Sequence, residues 1–193
     1  MTALRNLALA LMTLWLAGCA GLGVSGRDDG EHWALTGKLG LRQADQAESL
    51  LLAWSQCGER YQLTFSAPLG QPLARVEGDD QGALFWLDRT PEYTRHPQQW
   101  LDQRLGWPLP LQPLRHWVRG QPAPELPAAV ERDDQGRLQR LQQAGWQVDY
   151  LDHFQEGELS LPRRLRVQRD DRTATLIIRR WQLGPEVTTC PPP

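Results

Sequence analysis

Hydrophobic residues follow a two-residue period over most of the chain beyond residue 32. Trp33, Leu35 and Leu39 share one face of the first segment, and Thr36 and Lys38 share the other. This alternation predicts an antiparallel strand with one buried face. The pattern recurs in segments that are separated by polar or glycine-containing turns, which together predict a meander of strands. These segments are residues 50–54, 61–65, 74–76, 84–87, 138–141, 146–150, 165–167 and 176–181.

Two segments in the middle of the chain break the alternation and predict short helices. The first begins at Pro97, a residue that suits the first helical turn, and ends at Leu105 before Gly106. The second carries an apolar stripe over residues 111–118 and ends near Gly120. A sheet with one apolar face must curl and be covered on that face. These two helices are the only cover predicted within the chain.

A curled sheet under short helices leaves a hollow whose wall is formed by the inward apolar side chains. Tryptophan is the unusual component, with nine in 193 residues. Composition alone favours a filled core for these indoles, and an apolar cavity or a membrane interface is the alternative. The residues predicted to line the cavity are Trp33, Leu35, Leu39, Leu52, Trp54, Tyr61, Leu63, Phe65, Trp86, Leu114, Trp117, Trp146, Val148 and Tyr150.

The first 19 residues predict a membrane anchor. Arg5 precedes an apolar run that is too short to span a bilayer, and Ala17-Gly18 stands directly before Cys19. This arrangement is similar to the bacterial lipoprotein signal, in which the cysteine thiol receives a diacylglyceryl group and the new amino terminus an acyl chain. An ordinary signal peptide with an incidental cysteine is the alternative. Ala20 is not the aspartate that resembles an inner-membrane retention signal, which favours the outer membrane.

Composition divides the chain into four parts. Residues 1–18 are predicted to be the signal peptide, 19–32 the acylated cysteine and a flexible tether, 33–183 one domain, and 184–193 a proline-rich tail. The net charge of −2 offers no electrostatic surface for nucleic acid. In an oxidising compartment Cys57 and Cys190 could form a disulfide, but a free buried thiol and a tail thiol fit the sequence equally well.

Catalytic and metal-binding motifs are missing from the sequence. There is no Gly-x-Ser-x-Gly elbow, no complete phosphate-binding loop, no Cys-x-x-Cys and no histidine pair at metal-ligand spacing. Asp152-His153 could belong to a hydrolase site, but no activated nucleophile accompanies it. The sequence therefore predicts a protein that is not an enzyme and uses no metal or cofactor, apart from the acyl groups on Cys19.

The loop Pro68-Leu69-Gly70 follows directly on a predicted strand. The proline cannot continue a central strand and the glycine permits a sharp turn, so the leucine is carried on a bend. A leucine half-buried beneath its own loop is the ordinary expectation for such a bend. If the leucine is exposed, contact with lipid or with a partner is the usual reason.

Several motifs in a fixed order and spacing resemble the outer-membrane lipoprotein receptor family LolB. They extend over nearly all of the predicted domain. They are Arg60-Tyr61-x-Leu63, Pro68-Leu69-Gly70, Gly106-x-Pro108-Leu109-Pro110-Leu111-x-x-Leu114-x-x-Trp117-x-x-Gly120-x-Pro122, Gln143-x-Gly145-Trp146-x-Val148-x-Tyr150, Leu161-Pro162 and Trp181.

The resemblance implies an unclosed antiparallel β-barrel, a half-barrel capped by short helices, similar to the periplasmic carrier LolA. It implies a monomer anchored in the inner leaflet of the outer membrane and facing the periplasm, which accepts acylated lipoproteins from LolA and inserts them among outer-membrane lipids. The family's leucine on a protruding loop corresponds to Leu69, which implies a role in insertion. This chain departs from the family in its short tether and in lacking an added helix before the first strand. A structural lipoprotein that binds a protein partner without lipid cargo and a lipid hydrolase are the alternatives.

Overall fold

One eleven-stranded antiparallel sheet and two short helices make up the computed structural model, which describes residues 32–87, 90–105, 110–154, 160–184 and 187. The helices are α1 (Pro97–Leu105) and α2 (Leu111–Trp117). The strands are β1 (His32–Gln43), β2 (Gln46–Cys57), β3 (Arg60–Ser66), β4 (Pro72–Gly78), β5 (Ala83–Trp86), β6 (Glu92–Thr94), β7 (Ala128–Arg132), β8 (Leu138–Gln143), β9 (Trp146–His153), β10 (Pro162–Arg169) and β11 (Arg172–Leu183).

The strand order is β6-β5-β4-β3-β2-β1-β11-β10-β9-β8-β7. Each half of the chain forms a meander of neighbouring strands, and the pairing of β1 with β11 joins the halves. The edge strands β6 and β7 do not pair with each other, so the sheet stays unclosed. The predicted fold class, a half-barrel with short covering helices, is confirmed.

The connections between strands lie at the two ends of the sheet. The strand directions place the turns at residues 44–45, 67–71, 144–145 and 170–171 at the same end. We call this end the mouth end. It is the end at which the apolar cavity described below opens.

The inward faces of the strands form a continuous apolar core. The backbone of β11 lies close to Gly37 of β1, where a bulge in the pairing follows Thr36. A Cβ on this glycine would lie 2.5 Å from the carbonyl oxygen of Ile177, so only glycine fits. The largest fully buried side chains are Trp33, Trp117, Phe85, Leu35, Leu141, Leu165, Ile178, Val118, Val148 and Pro162.

The end of α2 is fixed to the sheet by the buried side chain of Gln143. Its Oε1 accepts hydrogen bonds from Trp117 Nε1 and from the backbone N–H of Ala123, both at 2.8 Å. Its Nε2 donates to the carbonyl oxygens of Ala123 at 2.9 Å and of Leu126 at 2.8 Å. Tyr150 Oη donates to the carbonyl of Trp117 at 2.9 Å, and burial raises the pKa of this phenol. These bonds hold one helix and the following loop over the sheet.

Both predicted helices are confirmed, whereas both edge strands were missed. β6 has three residues, and every residue of β7 is exposed. Alternation arises where one face of a strand is buried. Edge strands with neither face buried therefore leave no such pattern in the sequence.

A small second cluster lies on the outer face of β1 and β2, where Val187 of the tail packs against Ala34 and Cys57. Cys57 is disulfide-bonded, and its partner lies outside the described residues. Among those residues, no helix combines the length and apolar character needed to cross a membrane.

Because Cys19 is predicted to carry the lipid, Cys190 is the remaining cysteine that can pair with Cys57. We expect the mature protein, denatured without reductant, to show no free thiol, and a Cys190→Ser variant to show one. A thiol titration measures both. Two free thiols in the unreduced wild-type protein would contradict the pairing.

Candidate functional site

An apolar cavity of about 350 Å³ opens at the mouth end, between the inner face of β1 to β5 and helix α1. A smaller apolar space of about 40 Å³ lies beneath α2. The two spaces share Leu39 and Phe65, so they lie next to each other. The larger volume is at the lower end of the range of about 300–1,000 Å³ that is typical of small-ligand sites.

The predicted cavity residues separate into three groups. One group lines these spaces and consists of Leu39, Leu52, Trp54, Leu63, Phe65 and Leu114. A second group is packed into the core and lines neither space, because other side chains cover it. It consists of Trp33, Leu35, Trp117, Trp146, Val148 and Tyr150.

The third group, Tyr61 and Trp86, lies away from the cavity. Tyr61 lines a depression at the opposite end of the sheet, where burial and then the negative charge of Asp79 raise its pKa to about 12. Trp86 pairs with Arg75 on the outer face of the sheet, and the guanidinium carbon lies 5.3 Å from the ring centroid. Neither residue lines the apolar cavity or the smaller space beneath α2.

Helix α1 supplies a wall of the cavity through Trp100 and Leu101, which are not among the residues predicted to line it. Trp100 stacks on Phe85, with ring centroids 4.0 Å apart. Trp100 Nε1 donates to Glu92 Oε2 at 3.1 Å, and Glu92 also forms an ion pair with Arg104. These hydrogen bonds lower the pKa of Glu92, with the larger effect from Arg104. The contacts hold the helix against edge strand β6.

The rim of the cavity carries exposed leucines. Leu73 and Leu87 are 47% and 38% exposed, and both line the cavity at its mouth. Leu73 is the second residue of β4 and Leu87 directly follows β5, and neither was among the residues predicted to line the cavity. Exposed apolar side chains around an apolar opening are typical of a surface that contacts another apolar surface.

The loop between β3 and β4 presents Leu69 to solvent. Its side chain is 95% exposed, so the ordinary expectation of a half-buried leucine is wrong. The loop is held by its own backbone, because the N–H of Ala67 donates to the carbonyl of Gln71 and the N–H of Gly70 to that of Ala67, both at 2.8 Å. Gly70 adopts a φ of +89°, which favours glycine. The loop lies at the mouth end, as the cavity does.

The Asp152-His153 pair lies at the end of β9 that is opposite the mouth end. Asp152 Oδ1 accepts a hydrogen bond from the backbone N–H of His153 rather than from its ring. Burial, followed by the charge of Arg137, lowers the pKa of the imidazole. Within the described ranges, no group of three or more metal-ligating side chains is found.

Together these features define a class: unclosed antiparallel half-barrels with an apolar cavity open at one end. Two crystal structures are similar in fold. One is a LolA superfamily protein from Nitrosomonas europaea, with a TM-score of 0.52, 9% identity and coverage of 80% of this chain and 86% of that chain. The other is a DUF1329 family protein from Desulfovibrio piger, with a TM-score of 0.56, 6% identity and coverage of 84% and 90%.

The particular family follows from the sequence matches. Residues 31–181 match the family described as "Outer membrane lipoprotein LolB". The outer-membrane lipoprotein LolB of Stutzerimonas stutzeri is 34% identical over 94% of this chain and 97% of its own length. That of Alkalilimnicola ehrlichii is 41% identical over 79% and 78%. The chain belongs to the LolB family of outer-membrane lipoproteins, which are receptors in lipoprotein localisation.

Proposed function

We propose that this protein accepts acylated lipoproteins from a LolA-type periplasmic carrier, holds their acyl chains in its apolar cavity and inserts them into the outer membrane. The observation that carries the proposal is the position of two features at one end of the sheet. The cavity opens at the end where Leu69 projects into solvent. A protein that only binds a partner through its sheet edge requires neither an apolar cavity nor an exposed leucine beside its opening.

The energetics of the cargo explain the need for a cavity. Exposing several acyl chains to water costs tens of kcal/mol, at about 0.8 kcal/mol for each CH₂ group. An apolar cavity replaces the bilayer during passage through the aqueous periplasm. Family membership supports the carrier and the cargo as partners.

Transfer in this scheme proceeds toward stronger apolar burial. A step runs forward only when the acyl chains bind the next site better than the previous one. We propose the order carrier cavity, then this cavity, then bilayer, with a role that is not catalytic. Leu69 enters the lipid surface at the last step and opens a path for the chains.

The anchor completes the proposal. Cys19 and the tether to residue 31 lie outside the described residues, so acylation of this cysteine remains a prediction from the sequence. Two or more acyl chains hold a protein on a membrane, whereas one chain gives only marginal binding. An acylated Cys19 keeps the cavity within a tether's length of the membrane that receives the cargo.

Replacing Phe65 by aspartate is expected to reduce uptake of a carrier-bound lipoprotein by at least about tenfold. Phe65 lines both apolar spaces, and a carboxylate there removes apolar contact of roughly 1.5–3 kcal/mol while adding an unpaired charge. Uptake is measured as the amount of cargo that moves from the LolA-type carrier to this protein.

The matched control is Thr64→Asp, which adds the same charge at the neighbouring position on the outer face of β3. Leu73→Asp is a second variant, at an exposed rim position where folding is little affected. If Phe65→Asp and Leu73→Asp both fold and accept cargo as the wild type does, the cavity does not hold the acyl chains.

A further inference from the structure

The wall of the cavity formed by β1 and β2 changes from apolar to polar toward the mouth. Three successive inward pairs of the β1–β2 ladder show the change. The pair Leu39–Leu50 is apolar, the next pair is Leu41–Glu48, and the last pair, at the hairpin, is Gln43–Gln46. All six side chains line the cavity. The opposite wall shows no such gradient, because it ends in Leu73 and Leu87.

The charge on the described cavity lining is negative. Glu48 is the one charged residue among the described residues that line the cavity, and none of those residues is lysine or arginine. Glu48 is exposed to solvent at the mouth. Any ligand that enters by the mouth therefore passes a negative charge on the described part of the lining.

A phospholipid and an acylated amino terminus differ in the group that would meet this charge. Both have apolar chains, but a phospholipid carries a phosphate at the head of its chains. The head of a fully acylated cysteine is neutral and consists of ester carbonyls and an amide N–H. Carboxamide N–H groups can donate to the esters, and a carboxylate can accept from the amide.

We propose that Gln43, Gln46 and Glu48 form a polar rim that accepts the neutral head of an acylated cysteine and excludes anionic phospholipid from the cavity. This inference rests on the proposed function, since it names the part of the cargo that the rim binds. An apolar cavity held close to a bilayer would otherwise fill with the surrounding lipid. The fixed negative charge disfavours a phosphate within a few ångströms by about tenfold, which is a modest like-charge effect near a protein surface.

The test uses the full-length acylated protein, reconstituted in phosphatidylcholine vesicles. The vesicles contain a small fraction of photoactivatable phosphatidylglycerol or, in parallel, of photoactivatable phosphatidylcholine with the same chains. Crosslinks to cavity residues are quantified by mass spectrometry, and the ratio of the two yields measures the selectivity. A tripalmitoylated cysteine peptide is added as competitor.

We expect Glu48→Lys to raise the phosphatidylglycerol-to-phosphatidylcholine ratio about tenfold or more, and Glu48→Gln to raise it by a smaller factor. The control is Asp134→Lys, which makes the same change of charge in an exposed turn at the opposite end of the sheet. It should leave the ratio unchanged.

Two outcomes separate this inference from the function on which it rests. If the acylated peptide displaces both lipids but the ratio is the same in wild type and Glu48→Lys, the selective rim is wrong and the proposed function stands. If the acylated peptide displaces neither lipid, the cavity does not bind the acylated cysteine and both proposals fail.

Discussion

Replacing Leu69 by glutamate is expected to reduce delivery of lipoproteins to the membrane by at least about tenfold, while folding and acceptance of cargo remain unchanged. The side chain is 95% exposed, so the substitution removes no contact from the core. Moving a leucine into lipid contributes roughly 1.5–3 kcal/mol, and a carboxylate at the same position opposes insertion. Delivery is measured as transfer of an acylated lipoprotein from this protein to liposomes.

Two controls separate the loss of the leucine from a change of charge in its loop. Gln71→Glu places the same charge two residues along the loop and keeps the leucine, so delivery should be close to that of the wild type. Leu69→Met keeps an apolar side chain of similar size and should deliver normally. Unchanged delivery by Leu69→Glu would exclude this residue from insertion.

Replacing Gln143 by leucine is expected to lower the free energy of unfolding by at least about 4 kcal/mol. The change leaves two donors and two acceptors around the end of α2 without their partner, and unpaired buried polar groups cost about 1–3 kcal/mol each. The midpoint of thermal unfolding should fall by roughly 10 °C or more. Denaturant and thermal unfolding of the variant measure both quantities.

The matched control is the preceding residue on β8. Gln142 is exposed, so Gln142→Leu makes the same chemical change without breaking the buried network and should alter stability by less than about 0.5 kcal/mol. Equal stability of the two variants would show that the hydrogen bonds of Gln143 are not needed to hold α2.

The network around Gln143 also shows a limit of pattern analysis. Glutamine is a mostly exposed residue type, so the identity of Gln143 gives no reason to expect a buried side chain. The inward orientation of the Gln143 side chain could be predicted from Leu141, which lies two residues away on the same face of β8. Its partners on α2 and on the following loop are set by the packing of that helix over the sheet.

The same limit applies to the tryptophans. Alternation correctly places Trp33 and Trp54 on one face, but it does not say which of them meets a void. Trp33 is enclosed by Trp54 and Trp181, with ring centroids 5.1 Å and 5.6 Å away, whereas Trp54 borders the space beneath α2. The difference depends on what lies opposite each ring, and that is a property of the assembled fold.

Local alternation, proline and glycine positions and motif spacing are enough to predict the central strands, both helices, the bend that carries Leu69 and membership of the LolB family, because each is a property of the residue order along the chain. They do not predict the two edge strands, the outward position of Trp86 or the division of inward side chains between core and cavity. Those features depend on strand register and on which helix covers which part of the sheet. Register and coverage are set by contacts between residues that are distant in the chain, so no short segment of the sequence predicts these features.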